Sequence, residues 1–315
     1  MNILITGGTG FVGRQLIKSL PQHTLSILSR SSNSFDDSVT CFSGDISSNT
    51  CHTHALKNQS VVIHCAARVH MMGDSSNSLQ EYLDVNTYGT LNLAKQAYDA
   101  GVKRFIFISS IKVNGESTNI GGPYKHSDPH NPKDCYGQSK SEAEIQLIDL
   151  SKKTGLEVVI IRPTLVYGPG VKANFASLMN FVSKGFPMPF GCVTENKRSL
   201  VSVTNLVDLI ITCIDHPKAA NQTFLVSDDY DVSTYQLVFE MTKALNKSTW
   251  QVPIPIWCYK LVGRLFNKSE VVDRLIGSLQ VDISHTKDTL GWKPPQSLPE
   301  GFRQVAQTFL QSTTK

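Results

Sequence analysis

Thr6-Gly7-Gly8-Thr9-Gly10-Phe11-Val12-Gly13 follows the apolar run Asn2-Ile3-Leu4-Ile5 and leads into a stretch with the spacing of a helix. Gly8, Gly10 and Gly13 satisfy the pattern G-x-G-x-x-G, in which glycines let the backbone turn sharply and approach a pyrophosphate closely. The first backbone N–H groups of the helix would then face the anion without partners of their own. The stretch therefore predicts a strand, a turn and a helix that bind a dinucleotide.

Five more strands are predicted after this one, and helical segments alternate with them. These runs are apolar along their whole length, which is the pattern of strands covered on both faces. Alternation of strand and helix predicts an α/β fold with a doubly wound parallel sheet, an NAD(P)-binding Rossmann domain, over residues 1–165. The predicted strands are Asn2–Thr6, Leu25–Leu28, Val39–Ser43, Val61–Cys65, Arg104–Ser109 and Glu157–Arg162.

The pattern loosens after Arg162-Pro163, where Gly168-Pro169-Gly170 and many later prolines interrupt the chain. We expect residues 166–315 to form a smaller, mixed α/β lobe, with some segments, such as 199–226, returning to the first domain. Several helices predicted there have a Ser, Thr or Asn where an N-cap belongs. They are Asn174–Lys184, Thr204–Asp215, Ser233–Leu245 and Leu298–Gln311.

Composition and charge argue against several classes of protein. The 315 residues are 40% apolar and 18% charged, and they contain no apolar run long enough to insert across a membrane. A net charge of +4 without a block of like charges does not favour nucleic-acid binding. Without a leader-like pattern or a C-x-x-C pair among seven cysteines, we expect a cytoplasmic protein with reduced thiols. His52, His54 and His64 do not indicate a metal site.

The residues at the ends of predicted strands two to four bear on the choice of dinucleotide. An NAD-specific fold usually has an acidic residue at the end of its second strand, whereas Ser29-Arg30 offers a hydroxyl and a guanidinium that suit a 2′-phosphate. NADP(H) is therefore favoured. NAD(H) remains an alternative, because an Arg30 side chain that faces water would allow either cofactor to bind. Asp45-Ile46 is placed to reach the adenine edge, and the small side chains of Ala66-Ala67 would let the cofactor lie close.

Tyr136 and Lys140 lie four residues apart at the start of a predicted helix, so their side chains share one face. A free tyrosine has a pKa near 10, and a phenol that exchanges protons near neutral pH needs this pKa lowered. A lysine cation beside the phenol, together with the positive charge of an oxidised nicotinamide, would lower it. Upstream, an apolar strand ends in Ser109-Ser110, which supplies hydroxyls in the order that this chemistry needs.

These motifs together resemble the extended short-chain dehydrogenase/reductase family, which includes nucleotide-sugar epimerases, dehydratases and reductases, over essentially the whole chain. The resemblance implies that Tyr136 is the general acid or base, that Lys140 holds the nicotinamide ribose, and that a serine hydroxyl contacts the reacting sugar oxygen. Aligning Val113-Asn114-Gly115 with the family pattern gives that role to Ser110. Asn86 matches a further family position, which we expect to fix local geometry. The cofactor contacts that the resemblance implies come from Gly7, Gly10, Phe11, Val12, Gly13, Asn86, Tyr136, Lys140 and Pro163.

The family resemblance also bears on the substrate, a UDP-linked hexose. The family's 4,6-dehydratases carry Asp-Glu after the catalytic hydroxyl, and Ile111-Lys112 stands there in this chain, so that reaction is disfavoured. By motif, Asn174 would touch the diphosphate or its sugar. Arg198 would clamp the diphosphate with its guanidinium, and Arg274 is a candidate for a second clamp.

Three functions stay open at this point. The resemblance and Arg30 favour an NADPH-dependent 4-ketoreductase of a UDP-4-keto-6-deoxy-N-acetylhexosamine, in the synthesis of surface polysaccharides such as O-antigen. The alternative is a 4-epimerase of UDP-glucose or UDP-N-acetylglucosamine, which would retain NAD. A non-catalytic NADP(H)-sensing protein of the same fold is a third interpretation. The family further implies a homodimer through the helices predicted over Leu79–Ala100 and Ser139–Ser151.

Overall fold

The computed structural model describes residues 1–30, 39–69, 79–119, 122–171, 173–247 and 250–313, without the side chains of residues 173, 174, 312 and 313. Seven parallel strands form the main sheet in the order β3-β2-β1-β4-β5-β6-β9, and three form a small sheet in the order β10-β8-β7. The strands are β1 (Asn2–Thr6), β2 (Thr24–Ser29), β3 (Val39–Ser43), β4 (Val61–His64), β5 (Arg104–Ile108), β6 (Glu157–Pro163), β7 (Leu165–Tyr167), β8 (Arg198–Ser202), β9 (Thr223–Val226) and β10 (Asp231–Val232).

Helices cover both faces of the main sheet. The α/β fold predicted from the sequence is confirmed, and the six predicted strands match β1 to β6 with ends that differ by one residue at most. The helices are α1 (Phe11–Ser19), α2 (Thr53–Leu56), α3 (Leu79–Tyr82), α4 (Thr90–Asp99), α5 (Cys135–Thr154), α6 (Ala173–Ser183), α7 (Val203–Asp215), α8 (Thr234–Ala244), α9 (Ile256–Leu265), α10 (Ser269–Ile276), α11 (Ser284–Leu290) and α12 (Leu298–Thr313).

Alternate residues of the strands pack against different helices. Ile3 and Ile5 of β1 belong to a core with α1 and α7, whereas Leu4 belongs to a core with α4 and α5 on the opposite face. Because successive strand residues point to opposite faces and both faces are covered, every position of the strand is apolar. This is the physical reason that unbroken apolar runs were sufficient to predict these strands.

The second half of the chain divides its elements between the two sheets. β7, β8 and β10 form the small mixed sheet, whose core includes Tyr167 and Phe302, while β9 returns to the edge of the main sheet beside β6. The predicted helices match α6, α7, α8 and α12 within two residues. The domain boundary at residues 165 and 166 stays a prediction. None of the described helices is long and apolar enough to cross a membrane.

A buried ion pair joins α5 to β6. Glu144 is fully buried and Arg162 is 3% exposed, and their closest oxygen and nitrogen atoms lie 2.6 Å apart. Arg162 also donates to Asn114 Oδ1 at 3.0 Å and hydrogen-bonds His130 Nε2 at 2.6 Å. The Ser109 hydroxyl, at the end of β5, donates to Glu144. One charge pair therefore fixes β5, β6, α5 and the loop before α5 relative to one another.

Replacing Glu144 by glutamine is expected to destabilise the fold by about 3–5 kcal/mol, because the Arg162 guanidinium would stay buried without its counter-charge. Urea unfolding measures this free energy. The control is Asp149→Asn, which breaks an exposed pair with Lys153 and is expected to cost less than about 1 kcal/mol. Equal costs for the two substitutions would contradict the role given to the buried pair.

Candidate active site

The glycine turn after β1 has room for backbone only. Gly7 has a φ of +70°, and a Cβ atom there would lie 2.7 Å from the Ala66 nitrogen; a Cβ atom on Gly13 would lie 2.3 Å from the Gly7 oxygen. The Gly10 N–H donates to the Gly7 oxygen at 2.9 Å, and Gly10 is the N-cap of α1 with no side-chain cap hydrogen bond. The turn and the start of α1 therefore leave N–H groups for an anion, which fits a dinucleotide's pyrophosphate.

The other predicted cofactor residues lie at the same edge of the main sheet. This follows from the fold, because the carboxyl ends of parallel strands meet at one edge. Ser29 ends β2 and is followed by the exposed Arg30; Asp45 is exposed and accepts from the Thr50 hydroxyl at 2.6 Å, whereas Ile46 is buried. The remaining residues in this set follow β4, begin α1 or end β6, and they are Ala66, Ala67, Phe11, Val12 and Pro163.

Asn86 fixes the chain after β4. It is fully buried in a π-helical segment, Leu83–Gly89, that joins α3 to α4. Its side chain accepts from the Arg68 N–H at 2.8 Å and donates to the Arg68 carbonyl at 3.0 Å and the Ser139 hydroxyl at 2.9 Å. The amide thus holds the segment that contains Ala66-Ala67 against α5.

His64 is a structural histidine at the end of β4. Its ring nitrogens hydrogen-bond the hydroxyls of Thr6 at 2.6 Å and Thr90 at 2.9 Å, and burial holds its pKa well below the usual value. The Thr90 hydroxyl also donates to the Asn86 carbonyl at 2.8 Å. Within the described ranges, no group of three or more His, Cys, Asp or Glu side chains is arranged to hold a metal ion.

Tyr136 and Lys140 lie in the first turns of α5, which begins at Cys135 with Asp134 as its N-cap. Lys140 is 1% exposed, donates to the Ile108 carbonyl at 2.9 Å, and has its nitrogen 4.4 Å from the centre of the Phe107 ring. Burial lowers the pKa of Lys140 to about 8. The lysine is therefore held at the carboxyl end of β5, beside the serine pair.

The pKa of Tyr136 differs from the sequence-based expectation. Burial is the main cause that raises this pKa, and the Asp134 carboxylate raises it further. The expectation was that Lys140 and the positive charge of an oxidised nicotinamide together lower it. In the chain alone desolvation of the phenol dominates, so Tyr136 is protonated at neutral pH.

The two serines at the end of β5 have different surroundings. Ser109 is 3% exposed and its hydroxyl donates to Glu144. Ser110 is half-buried and accepts from the Lys112 N–H at 3.2 Å as the cap of a 3₁₀ turn over Ile111–Val113. Of the two, Ser110 is the one whose hydroxyl hydrogen is not committed to the Glu144 carboxylate, which supports its assignment as the catalytic serine.

Lys112 joins the serine turn to the start of α5, a contact that sequence reasoning did not identify. Its ammonium group binds the carboxylates of Asp134 and, at 2.9 Å, Glu116. Asp134 also accepts from the Gly137 N–H at 2.7 Å. Lys112 and Asp134 are separated by 22 residues, so no local pattern predicts their pairing, although Asp134 itself has the form of an N-cap.

The structure brings the two predicted diphosphate residues together. Arg198, at the start of β8, donates to the Arg274 carbonyl at 2.8 Å, and burial followed by the charge of Arg274 lowers the pKa of Arg198. The Arg274 side chain is half exposed and lies 3.5 Å from a Glu116 oxygen. Asn174 begins α6 beside Ala173, but its side chain lies outside the described part of the chain.

Residues 3–227 match the model of the NAD dependent epimerase/dehydratase family. The chain belongs to this family. The extended short-chain dehydrogenase/reductase resemblance inferred from the sequence is thereby confirmed, and so is the inference that the chain is an enzyme of this group. The family description names NAD, and the preference for NADP(H) predicted from Arg30 gains no support from it.

Two curated relatives align with this chain over nearly its whole length. UDP-glucose 4-epimerase of Vibrio cholerae is 63% identical over 318 residues, covering 100% of this chain and 97% of the relative. N-acetyl-alpha-D-glucosaminyl-diphospho-ditrans,octacis-undecaprenol 4-epimerase of Escherichia coli O157:H7 is 30% identical, covering 97% of this chain and 94% of the relative.

Two solved structures share the fold. UDP-glucose 4-epimerase of Thermotoga maritima with UDP-glucose has a TM-score of 0.77 at 20% identity and covers 100% of both chains. UDP-glucuronic acid 4-epimerase of Bacillus cereus in complex with NAD has a TM-score of 0.79 at 20% identity and covers 99% of each chain. The present structure therefore shares its fold with these two proteins over nearly the whole chain.

Replacing Gly13 by alanine is expected to raise the Kd for NAD about tenfold or more, because the new Cβ atom must displace the Gly7 carbonyl, and such overpacking typically costs about 1–3 kcal/mol. Fluorescence titration measures the Kd. Gly122→Ala is the matched control, since a Cβ atom there would lie at an ordinary contact distance of 3.6 Å from the Asn119 oxygen. Unchanged NAD affinity in Gly13→Ala would contradict the assignment of the glycine turn after β1 to the pyrophosphate.

The unfolding free energy of the cofactor-free protein, compared with that of Lys140→Met, is expected to rise by about 3 kcal/mol between pH 8 and the ordinary lysine pKa of about 10.5. The folded pKa of Lys140 is lowered to about 8, so the unfolded chain binds more protons in this window. The free-energy cost of burying the charged Lys140 lowers the stability of the fold below this pH window and disappears above it. Urea unfolding across this pH range measures the difference, and a flat difference would show that Lys140 is not desolvated.

Proposed function

We propose that this chain is a UDP-hexose 4-epimerase that retains NAD and acts on UDP-glucose or UDP-N-acetylglucosamine. The observation that carries the proposal is the 63% identity to the Vibrio cholerae UDP-glucose 4-epimerase over nearly the full length of both chains. The arrangement of Ser110, Tyr136 and Lys140 at the carboxyl end of β5 supports it, since a 4-epimerase needs a proton exchanger beside a bound sugar.

Proton transfer in this reaction takes place at the Tyr136 hydroxyl. As the phenolate, Tyr136 takes the proton of the sugar's C4 hydroxyl and later returns it, and Ser110 donates a hydrogen bond to the same sugar oxygen. Bound NAD would accept and return the hydride of C4, and its positive ring would favour the phenolate. Lys140 would hold the ribose hydroxyls of that cofactor, and its ammonium would add to the positive charge near the phenol.

The diphosphate of the substrate is assigned to Arg198 and Arg274. Their positive charges lie close enough that Arg274 lowers the pKa of Arg198, and a bound dianion would relieve this repulsion. The names of the two curated relatives share one chemical group, a sugar joined to a diphosphate, although the carrier is UDP in one and undecaprenol in the other. Asn174 is retained as a candidate contact to the same group.

A second candidate function is the 4-ketoreductase, and one observation favours it. Ser29 ends β2 and Arg30 follows it, where an NAD-binding carboxylate is usual, and the exposed Arg30 suits the 2′-phosphate of NADP(H). A net reductant that is consumed in each turnover fits NADPH. The third interpretation, a non-catalytic NADP(H)-sensing protein, has no comparable support. This chain retains Tyr136 and the buried Lys140, the two residues that catalysis needs.

The homodimer and the cellular setting are part of the proposal. Ile145 and Ile148 are exposed on α5, and Tyr88 is exposed on the neighbouring π-helical segment. This apolar face lies on the two helices through which the family resemblance implies dimer formation. Action in the cytoplasm and a role in surface-polysaccharide synthesis stay predictions from the sequence.

Purified protein incubated with UDP-glucose or UDP-N-acetylglucosamine, without added cofactor, is expected to form the galacto epimer until equilibrium. Tyr136→Phe is expected to lower kcat by about 10²–10⁴, because the acid–base group is lost. Tyr98→Phe, at an exposed tyrosine of α4, is the matched control. Product is measured by chromatography of the sugar nucleotides.

The reductase is tested in parallel with a UDP-4-keto-6-deoxy-N-acetylhexosamine and either NADPH or NADH. Oxidation of NADPH that depends on the keto sugar, with no epimer formed from UDP-glucose or UDP-N-acetylglucosamine, would reject the epimerase and support the reductase. Full epimerase activity in Tyr136→Phe would reject the assigned proton exchanger.

A further inference from the structure

Exposed apolar side chains are concentrated in one short stretch of the second half. Nineteen large apolar residues are exposed in the described parts of the chain, and eight of them lie between Trp250 and Val271. They are Trp250, Ile256, Trp257, Leu261, Val262, Leu265, Phe266 and Val271. Trp257, Leu265 and Phe266 are each at least 65% exposed, which is unusual for such large groups when no partner covers them.

The orientation of α9 places this apolar surface outward. Trp257, Leu261 and Leu265 are spaced by four residues and lie on one face of the helix. The opposite side is attached to the protein: the Tyr259 ring is stacked 6.3 Å from Phe190, and Gly263 is buried against Val272 of α10. The helix cannot turn its apolar face inward without losing both contacts.

Three cations border the apolar face. Lys260, Arg264 and Lys268 are exposed, and the carboxylates nearest to them in the sequence are Glu270 and Asp273 of α10. Asp273 lines a shallow cavity of about 260 Å³ between α9 and α10 together with Lys260 and Arg264. We call these three cations and the eight apolar residues the α9 surface.

We propose that the α9 surface docks this protein on an anionic lipid bilayer. A helix with tryptophan and leucine on one face and lysine and arginine beside them lies in the membrane interface, with the apolar side chains among the acyl chains and the cations at the phosphates. Each cation near an anionic surface adds to the attraction. Such docking needs no spanning helix, so it agrees with the absence of one in the described residues.

A second copy of this chain is the other occupant to consider, and the charges argue against it. A two-fold contact places the same surface on both sides. Lys260, Arg264 and Lys268 of one copy would then approach those of the other, and the two carboxylates of Glu270 and Asp273 are fewer than these three cations. An anionic bilayer supplies the missing negative charge.

Docking would also orient the candidate substrate residues. α10 follows α9 directly and carries Arg274, whose backbone carbonyl accepts from Arg198. The guanidinium groups assigned to a diphosphate therefore lie one helix away from the proposed lipid contact. The docking proposal does not rest on the reaction proposed above, because it follows from the α9 surface alone.

Co-sedimentation of the full chain with vesicles tests this proposal. Wild type is expected to bind vesicles of phosphatidylglycerol mixed with phosphatidylcholine far more strongly than phosphatidylcholine alone, with binding that weakens as salt is added. Lys260→Gln combined with Arg264→Gln is expected to reduce binding to the anionic vesicles about 20-fold, since each cation contributes about fivefold. Lys18→Gln combined with Lys57→Gln, which removes two exposed cations of the first domain, is the matched control and is expected to change binding little.

The apolar part is tested with Trp257→Ser combined with Leu265→Ser, which is expected to weaken binding to the same vesicles without lowering the thermal stability. Circular dichroism verifies that each variant is folded. Equal binding to both kinds of vesicle, or binding that survives both pairs of substitutions, would overturn the proposal. The proposal would also be overturned if the wild type bound neither kind of vesicle and the variant with Trp257 and Leu265 replaced lost its dimer in sedimentation velocity.

Discussion

The candidate active site depends on the buried ion pair between Glu144 and Arg162. Tyr136, Lys140 and Glu144 follow one another at four-residue spacing along α5, so the position of the pair determines where the first two side chains lie. Removing both charges from water costs several kcal/mol each, and only well-formed hydrogen bonds compensate for this. The bonds to Ser109, Asn114 and His130 complete the shell around the pair, which is why the serine turn and α5 share one geometry.

In the chain alone, the Tyr136 phenol is not poised to exchange protons near neutral pH. Burial raises the pKa of Tyr136 and lowers the pKa of Lys140 to about 8, so in both cases the lower polarity of the protein interior favours the neutral form. A bound cofactor that brings positive charge would act on both groups in the same place. The chain alone therefore fixes the positions of the site residues. Their pKa values suit catalysis only in the complex with the cofactor.

The sequence was sufficient to predict the parts of the structure that are local. The strands were predictable from their apolar runs, and the glycine turn and the Tyr136–Lys140 pair from their spacing. The contacts between distant positions were not: Lys112 meets Asp134 across 22 residues, Arg198 meets the backbone of Arg274 across 76, and desolvation of Tyr136 depends on the whole fold. The α9 helix was missed because its apolar face points outward and prolines precede it, which reads as an irregular segment.

The π-helical segment Leu83–Gly89 has a consequence for how this chain can change in length. A π turn accommodates one residue more than an α turn, so the helix faces before and after it are offset by the rotation of one residue, about 100°. Deleting one residue from the segment would restore a regular helix but would turn Leu93 and Ala97 of α4 away from the sheet or withdraw Asn86 from Arg68. The length of this helix is therefore constrained by the contacts on both sides of the π-helical segment.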